Sequence, residues 1–244
     1  LDLELNCIAS PFLMAKFPVP QIETTSFPLM ADNLKLGEIN MDDINYHALI
    51  IGINDYDPSL GKLNTAINDA KGLDDILQDK YGFKTTTLIN ATRDQIIDAL
   101  DNYVETLTFK DSLLIYFAGH GQFDAEYDEN GECINDTGDC KTSYWLPIDA
   151  TIKSKSNWIS NAELIPRISS LKSTHVLVIA DTCYAGGWSR GVQNHSETRD
   201  VKKYFQRLID KQSRKIMASG GIEQVMDGGG GKHSVFAKEL LSAL

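Results

Sequence analysis

Cysteine is scarce in this chain of 244 residues: only Cys7, Cys133, Cys140 and Cys183, irregularly placed. That excludes a secreted disulfide scaffold. Cys133 and Cys140 share one loop-like stretch with no histidine nearby, and two soft ligands do not make a zinc site. They read as two free thiols or one local disulfide. No apolar run approaches the roughly 18 residues of a membrane-spanning helix. Basic charge is also short, with Lys plus Arg at 23 against Asp plus Glu at 34, a net charge of −11. Non-specific nucleic-acid binding and docking on anionic lipid are therefore not expected, whereas basic substrates and divalent cations would be attracted. Phosphate-cradling glycine patterns are missing too. There is no G-x-x-x-x-G-K-[ST], no G-x-G-x-x-G after the first strand, and Gly228–Gly231 matches neither.

What is present is ordinary for a folded domain: 42% hydrophobic and 23% charged residues, which argues against global disorder. Four of the seven prolines, Pro11, Pro18, Pro20 and Pro28, fall in residues 1–45. Proline at that density resists helix and central strand, so 1–45 reads as an extended arm or linker. The chain opens at Leu1 rather than Met, without the charged start and apolar core of a signal peptide, and stops inside a helical pattern. Both ends are compatible with cuts from a longer protein, and a cytoplasmic location is expected.

From residue 46 onward, short apolar runs alternate with helical patterns. Strands are predicted at His47–Ile53, Thr85–Ile89, Ser112–Ala118, His175–Ala180 and Lys215–Ser219, with Tyr144–Pro147 as a short strand or edge. Helices are predicted at Asn64–Gln78, from Thr92 (the cap) through Leu107, at Asn161–Leu171, at Val201–Asp210 and from about Ser234. Residues 122–142 read as a long acidic loop and 184–200 as a Gly-rich one. The alternation predicts an α/β fold, a mostly parallel sheet covered by helices on both faces.

Ligands in such sheets sit beyond the carboxyl ends of the strands. Two of those ends carry chemistry: Ala118-Gly-His120-Gly121 and Ala180-Asp-Thr-Cys183-Tyr-Ala-Gly-Gly187. If the strands are neighbours, a His and a Cys face each other. An imidazole can take the thiol proton, the thiolate can attack a carbonyl, and the imidazolium can protonate a leaving amine. Backbone N–H groups of Gly121 and Cys183 are the candidates to face the developing oxyanion. Alone, Cys183 would read as a small buried hydrophobe and His120 as structural. Their recurrence at equivalent strand ends reverses that reading.

Tyr116-Phe-Ala-Gly-His-Gly121 and Asp181-Thr-Cys-Tyr-Ala-Gly186 resemble the two signatures of caspase-like cysteine peptidases, bacterial metacaspase-like (orthocaspase-type) members above all. Ala48–Asn54, Asn68-Asp-Ala70, Tyr144–Asp149 and Ser219-Gly-Gly221 agree, and the likeness covers roughly residues 46–244. The Gln-Ala-Cys signature of animal caspases is absent. The resemblance implies a twisted, six-stranded, mostly parallel sheet. It implies a larger part over about 46–187, a linker over about 188–214 and a smaller part over about 215–244. His120 would be the general base and Cys183 the nucleophile, with no cofactor for the chemical step.

Specificity follows from charge. A pocket for aspartate needs arginine, and a pocket for Arg or Lys needs carboxylates. The loop Asn54–Asn64 has no arginine, two aspartates and Lys62. Metacaspase-like members place their pocket acids at positions matching Asp69 and Asp181, which implies protein or peptide substrates cut after Arg or Lys. Ala66 stands where the family often has a cysteine. Arg190, Arg199, Lys202, Lys203, Arg207 and Arg214 offer basic points for self-cleavage. Calcium is a candidate activator: Asp124, Glu126, Asp128, Glu129, Glu132, Asp136 and Asp139 crowd one loop, although Thr137 replaces the twelfth-position Glu of an EF-hand register. A solvated acidic loop is the plainer reading. The alternatives are a catalytically inactive interaction module of the same fold and an Asp-specific peptidase.

Overall fold

The computed structural model describes residues 44–125, 141–182, 213–219 and 229–244. Its centre is a five-stranded parallel sheet of β1 (Asn45–Gly52), β2 (Lys84–Ile89), β3 (Asp111–Ala118), β7 (His175–Asp181) and β8 (Ser213–Ala218), in the order β2-β1-β3-β7-β8. The sixth strand implied by the resemblance is not among the described residues. Four described helices accompany the sheet: α1 (Ala66–Tyr81), α2 (Arg93–Thr106), α3 (Asn161–Ser170) and α4 (Val235–Ala243).

The apolar run of β1 is buried on both faces, and successive side chains part to opposite sides. Leu49 and Ile51 join one core with Ile96 and Leu100 of α2 and Leu164 and Ile168 of α3. Ala48 and Ile50 join the other with Ala70, Leu73 and Leu77 of α1, against which Phe236, Leu240 and Leu241 of α4 pack. The helix ends follow local chemistry. Thr92 and Gln95 form a reciprocal capping box at α2, as its sequence predicts. Gly82, at φ 67°, closes α1 with its N–H on the Gln78 carbonyl.

Gly52 lets α1 approach the end of β1. A Cβ there would lie 2.6 Å from the Ala66 carbonyl oxygen and 2.7 Å from Ala70 Cβ, so the helix itself would have to move. We expect Gly52→Ala to lower stability by about 1–3 kcal/mol. A shifted urea midpoint at unchanged slope checks this, and an unshifted midpoint refutes it.

A second, antiparallel sheet runs in the order β4-β5-β6: β4 (Gly121–Ala125), β5 (Lys141–Trp145) and β6 (Ile159–Ser160). This departs from the sequence reading in two ways. Both ends of the stretch predicted as loop, 122–142, are paired strand, and the short strand or edge expected at Tyr144–Pro147 is a strand that begins earlier, at Lys141, and lies centrally. Trp145 anchors the small sheet by stacking on Phe117 at 4.5 Å. The expected arm 1–45 (except its last two residues), the core of the acidic loop, the Gly-rich loop and the helix at 201–210 lie outside the described residues.

Candidate active site

Strand order reverses beside β1: the chain steps outward to β2, then crosses to β3 and β7 on the other side. The carboxyl ends of β1, β3 and β7 therefore flank the crevice where open α/β sheets hold ligands. Ala118 pairs with Asp181 at the ends of β3 and β7, and the Gly119 N–H reaches the Asp181 carbonyl at 3.4 Å. His120 leaves β3 at this point. Thr182 leaves β7 beside it and is followed in the chain by Cys183, which lies outside the described residues.

His120 is buried and held at both backbone and ring. Its N–H donates to the Tyr56 hydroxyl at 2.9 Å, and that hydroxyl donates to the Leu146 carbonyl at 2.8 Å. The two rings pack with centroids 4.6 Å apart. Burial drives the Tyr56 phenol far above its ordinary pKa, so it remains a neutral donor. Gly119 makes room for it, because a Cβ there would sit 2.5 Å from the Tyr56 oxygen. The His120 Nε2 lies 3.0 Å from the Gly61 carbonyl oxygen. A carbonyl only accepts, so Nε2 carries the proton and Nδ1 is the basic nitrogen.

Gly61, at φ 75°, belongs to the loop after β1, and that loop is tied down. Asn90, itself at φ 50°, accepts the N–H groups of Asn54 and Asp55 on its side-chain oxygen at 2.9 and 3.2 Å. Asn54 in turn accepts the Ile67 N–H at 3.1 Å. Gly121 is paired with Trp145, and the bond from the Leu146 N–H to the His120 carbonyl makes that pair the non-hydrogen-bonded kind. The Gly121 N–H is thus left outside the β4–β5 ladder.

Asp69 and Asp181 come together through one residue that sequence reasoning did not single out. The Ser234 N–H contacts both Asp69 oxygens at 3.3 Å, and its hydroxyl donates to Asp181 Oδ2 at 2.6 Å. The same hydroxyl oxygen caps α4 by accepting the Ala237 N–H at 2.9 Å. His233, read from sequence as loop-like, lies in a two-residue bridge and sets its Nδ1 2.8 Å from Asp69 Oδ1.

Asp69 is 1% exposed and Asp181 7%. Burial raises the pKa of Asp69, against the hydrogen bonds of His233, Ser234 and Thr65. Burial likewise raises Asp181, against the Ser234 hydroxyl, and the neighbouring Asp69 charge adds to the rise. Tyr116 lies beside both carboxylates, and burial holds its hydroxyl neutral, a donor facing Asp181. Two buried acids thus share one cluster in which burial disfavours both charges and each charge disfavours the other.

No group of three or more His, Cys, Asp or Glu able to hold a metal occurs among the described residues. Asp124, counted above with the acidic loop, lies in β4 and is ion-paired with Lys155. The other six acids of that loop, and the basic points from Arg190 to Arg207, lie outside the described residues.

Residues 45–244 match the family model for the caspase domain (Peptidase_C14). Metacaspase-6 of Arabidopsis thaliana is 28% identical over 153 residues, which is 57% of this chain and 38% of that protein. Metacaspase-1 of Eremothecium gossypii is 30% identical over 116 residues, 43% of this chain and 24% of that protein. The matches thus span well under half of those curated relatives' own length. A crystal structure of a Geobacter sulfurreducens protein superposes with a TM-score of 0.55 at 21% identity, covering 82% of this chain and 81% of that one. The fold is caspase-like, and the chain belongs to the caspase-domain family of cysteine peptidases, with metacaspases among its relatives.

Proposed function

We propose that this chain is a cysteine endopeptidase cutting protein or peptide substrates after Arg or Lys, with Cys183 as nucleophile and His120 as general base. The observation that carries the reading is the register of β3 and β7. His120 and Cys183 each follow by two residues one member of the matched pair Ala118 and Asp181. Adjacent strands lie about 5 Å apart, the separation that a thiol–imidazole pair borne on neighbouring strand ends would need.

In this reading His120 Nδ1 takes the Cys183 thiol proton and the thiolate attacks the substrate carbonyl carbon. The oxyanion meets the N–H groups of Gly121 and Cys183. Collapse breaks the C–N bond, and the amine leaves with the proton from His120. Water, activated by the same imidazole, then hydrolyses the thioester. Asp69 and Asp181 receive the substrate's guanidinium or ammonium, whose charge offsets the cost of burying theirs. Self-cleavage at a basic residue between β7 and β8 follows from the same specificity.

The test uses fluorogenic peptides ending in Arg, Lys or Asp, with the parent chain and Cys183→Ala, with and without calcium. The parent should cleave the Arg and Lys peptides, and Cys183→Ala should fall to background. Equal rates from both chains, no cleavage in either condition, or a preference for Asp would overturn the reading.

A further inference from the structure

We infer that His233 is a built-in counter-cation of the acidic pocket, whose protonation opposes entry of the substrate's basic side chain. The inference rests on the proposal that Asp69 and Asp181 bind that side chain.

A carboxylate only accepts, so the His233 Nδ1 donates to Asp69 Oδ1 across 2.8 Å. With its second nitrogen protonated as well, the ring puts a full positive charge against the Asp69 carboxylate. The geometry is built for this ring. Gly72, one turn beyond Asp69 on α1, leaves space for it: a Cβ there would lie 3.3 Å from His233 Cε1 and 3.1 Å from Leu241 Cδ1. The preceding Lys232 is tied to the same helix, its carbonyl accepting the Asn68 side-chain amide at 3.2 Å.

The groups around the ring define its electrostatics. Asp69 faces it from α1. Asp181 from β7 and Tyr116 from β3 lie beyond Ser234, and Lys232 precedes it in the adjoining turn. His233 is partly exposed while Asp69 is buried, so the ring can exchange its proton with solvent where Asp69 cannot do so readily. An arriving guanidinium and a protonated imidazole compete for one carboxylate. Binding should therefore expel the imidazole's proton, and affinity should rise as the imidazole loses it.

The test is calorimetric and needs no turnover. The Cys183→Ala chain is titrated with agmatine, a guanidinium with no scissile bond, at several pH values in buffers of different ionisation enthalpy. We expect proton release on binding, cut by up to about one proton in Cys183→Ala/His233→Gln. That second chain keeps a hydrogen-bond donor without the charge and should bind several-fold tighter. His233→Lys, a permanent cation, should bind several-fold weaker than either. If His233→Gln does not fold, His233→Asn, a shorter uncharged donor, should change affinity in the same direction. Equal proton counts and affinities in the His233 variants, with binding still abolished by Asp69→Asn, would overturn this inference alone. Agmatine that fails to bind, or binds regardless of Asp69→Asn, would overturn the pocket assignment beneath it.

Discussion

His120→Ala should lower kcat/KM on an Arg peptide by about 10²–10⁴, the range for loss of a positioned general base. The reason is specific to how the ring is held. The Gly61 carbonyl fixes the proton on Nε2, and Tyr56 fixes the backbone of the same residue. Removing the ring loses the only proposed proton acceptor for the thiol while leaving the Tyr56 bond to the His120 N–H in place. A second readout separates loss of the base from loss of the fold. Without the imidazole, Cys183 should alkylate as an ordinary thiol, with its rate rising around pH ~8.5 rather than lower. Hydrolysis by His120→Ala at the parent's rate, or an alkylation profile identical to the parent's, would rule His120 out as the base.

The elements that position His120 were legible because they are regular. Ala48–Ile51 and Leu113–Ala118 are apolar runs of strand length each followed by Gly, and such runs in a βα alternation read as buried parallel strands. Thr92 with Gln95 announced a helix start by chemistry alone. The small sheet was not legible in the same way. Gln122-Phe-Asp-Ala125 and Lys141-Thr-Ser-Tyr144 are polar and short, and their pairing rests on the Phe117–Trp145 stack rather than on pattern.

The site divides along the same line. The signatures around His120 and Asp181 are local, so they could be read. Tyr56 could not, since no local pattern marks it and its value lies in a hydroxyl meeting a backbone N–H 64 residues on. Ser234 and His233 reach Asp69 from 165 and 164 residues away. The signal that could have found them is Ser234 itself: a serine directly before an apolar helix is an N-cap, and a cap points its neighbours at whatever the helix end faces.

Asp181→Asn should separate function from stability in opposite directions. Removing one partner of a buried, hydrogen-bonded charge pair costs about 2–5 kcal/mol, so kcat/KM for Arg peptides should fall by about 30-fold to several-thousand-fold. Stability should move the other way. Asp181 and Asp69 are both raised from 3.8 in the fold, foremost by burial. A carboxyl raised in the native state contributes its full stability below the unfolded value, and that contribution is lost as pH climbs through the folded value. As pH rises towards neutrality, therefore, ionising the pair weakens the substrate-free fold, and an amide at 181 avoids one such charge while still accepting the Ser234 hydroxyl. We expect Asp181→Asn to unfold at a higher temperature than the parent near neutrality, with the gap closing as pH is lowered towards the unfolded carboxyl value. Asp69→Asn should show the same pairing with a smaller gain, because it also gives up the attraction between its charge and His233. A variant that keeps Arg cleavage at the parent's level would remove Asp181 from the pocket. One that loses cleavage and stability together would make the carboxylate a structural group rather than a strained receptor awaiting its cation.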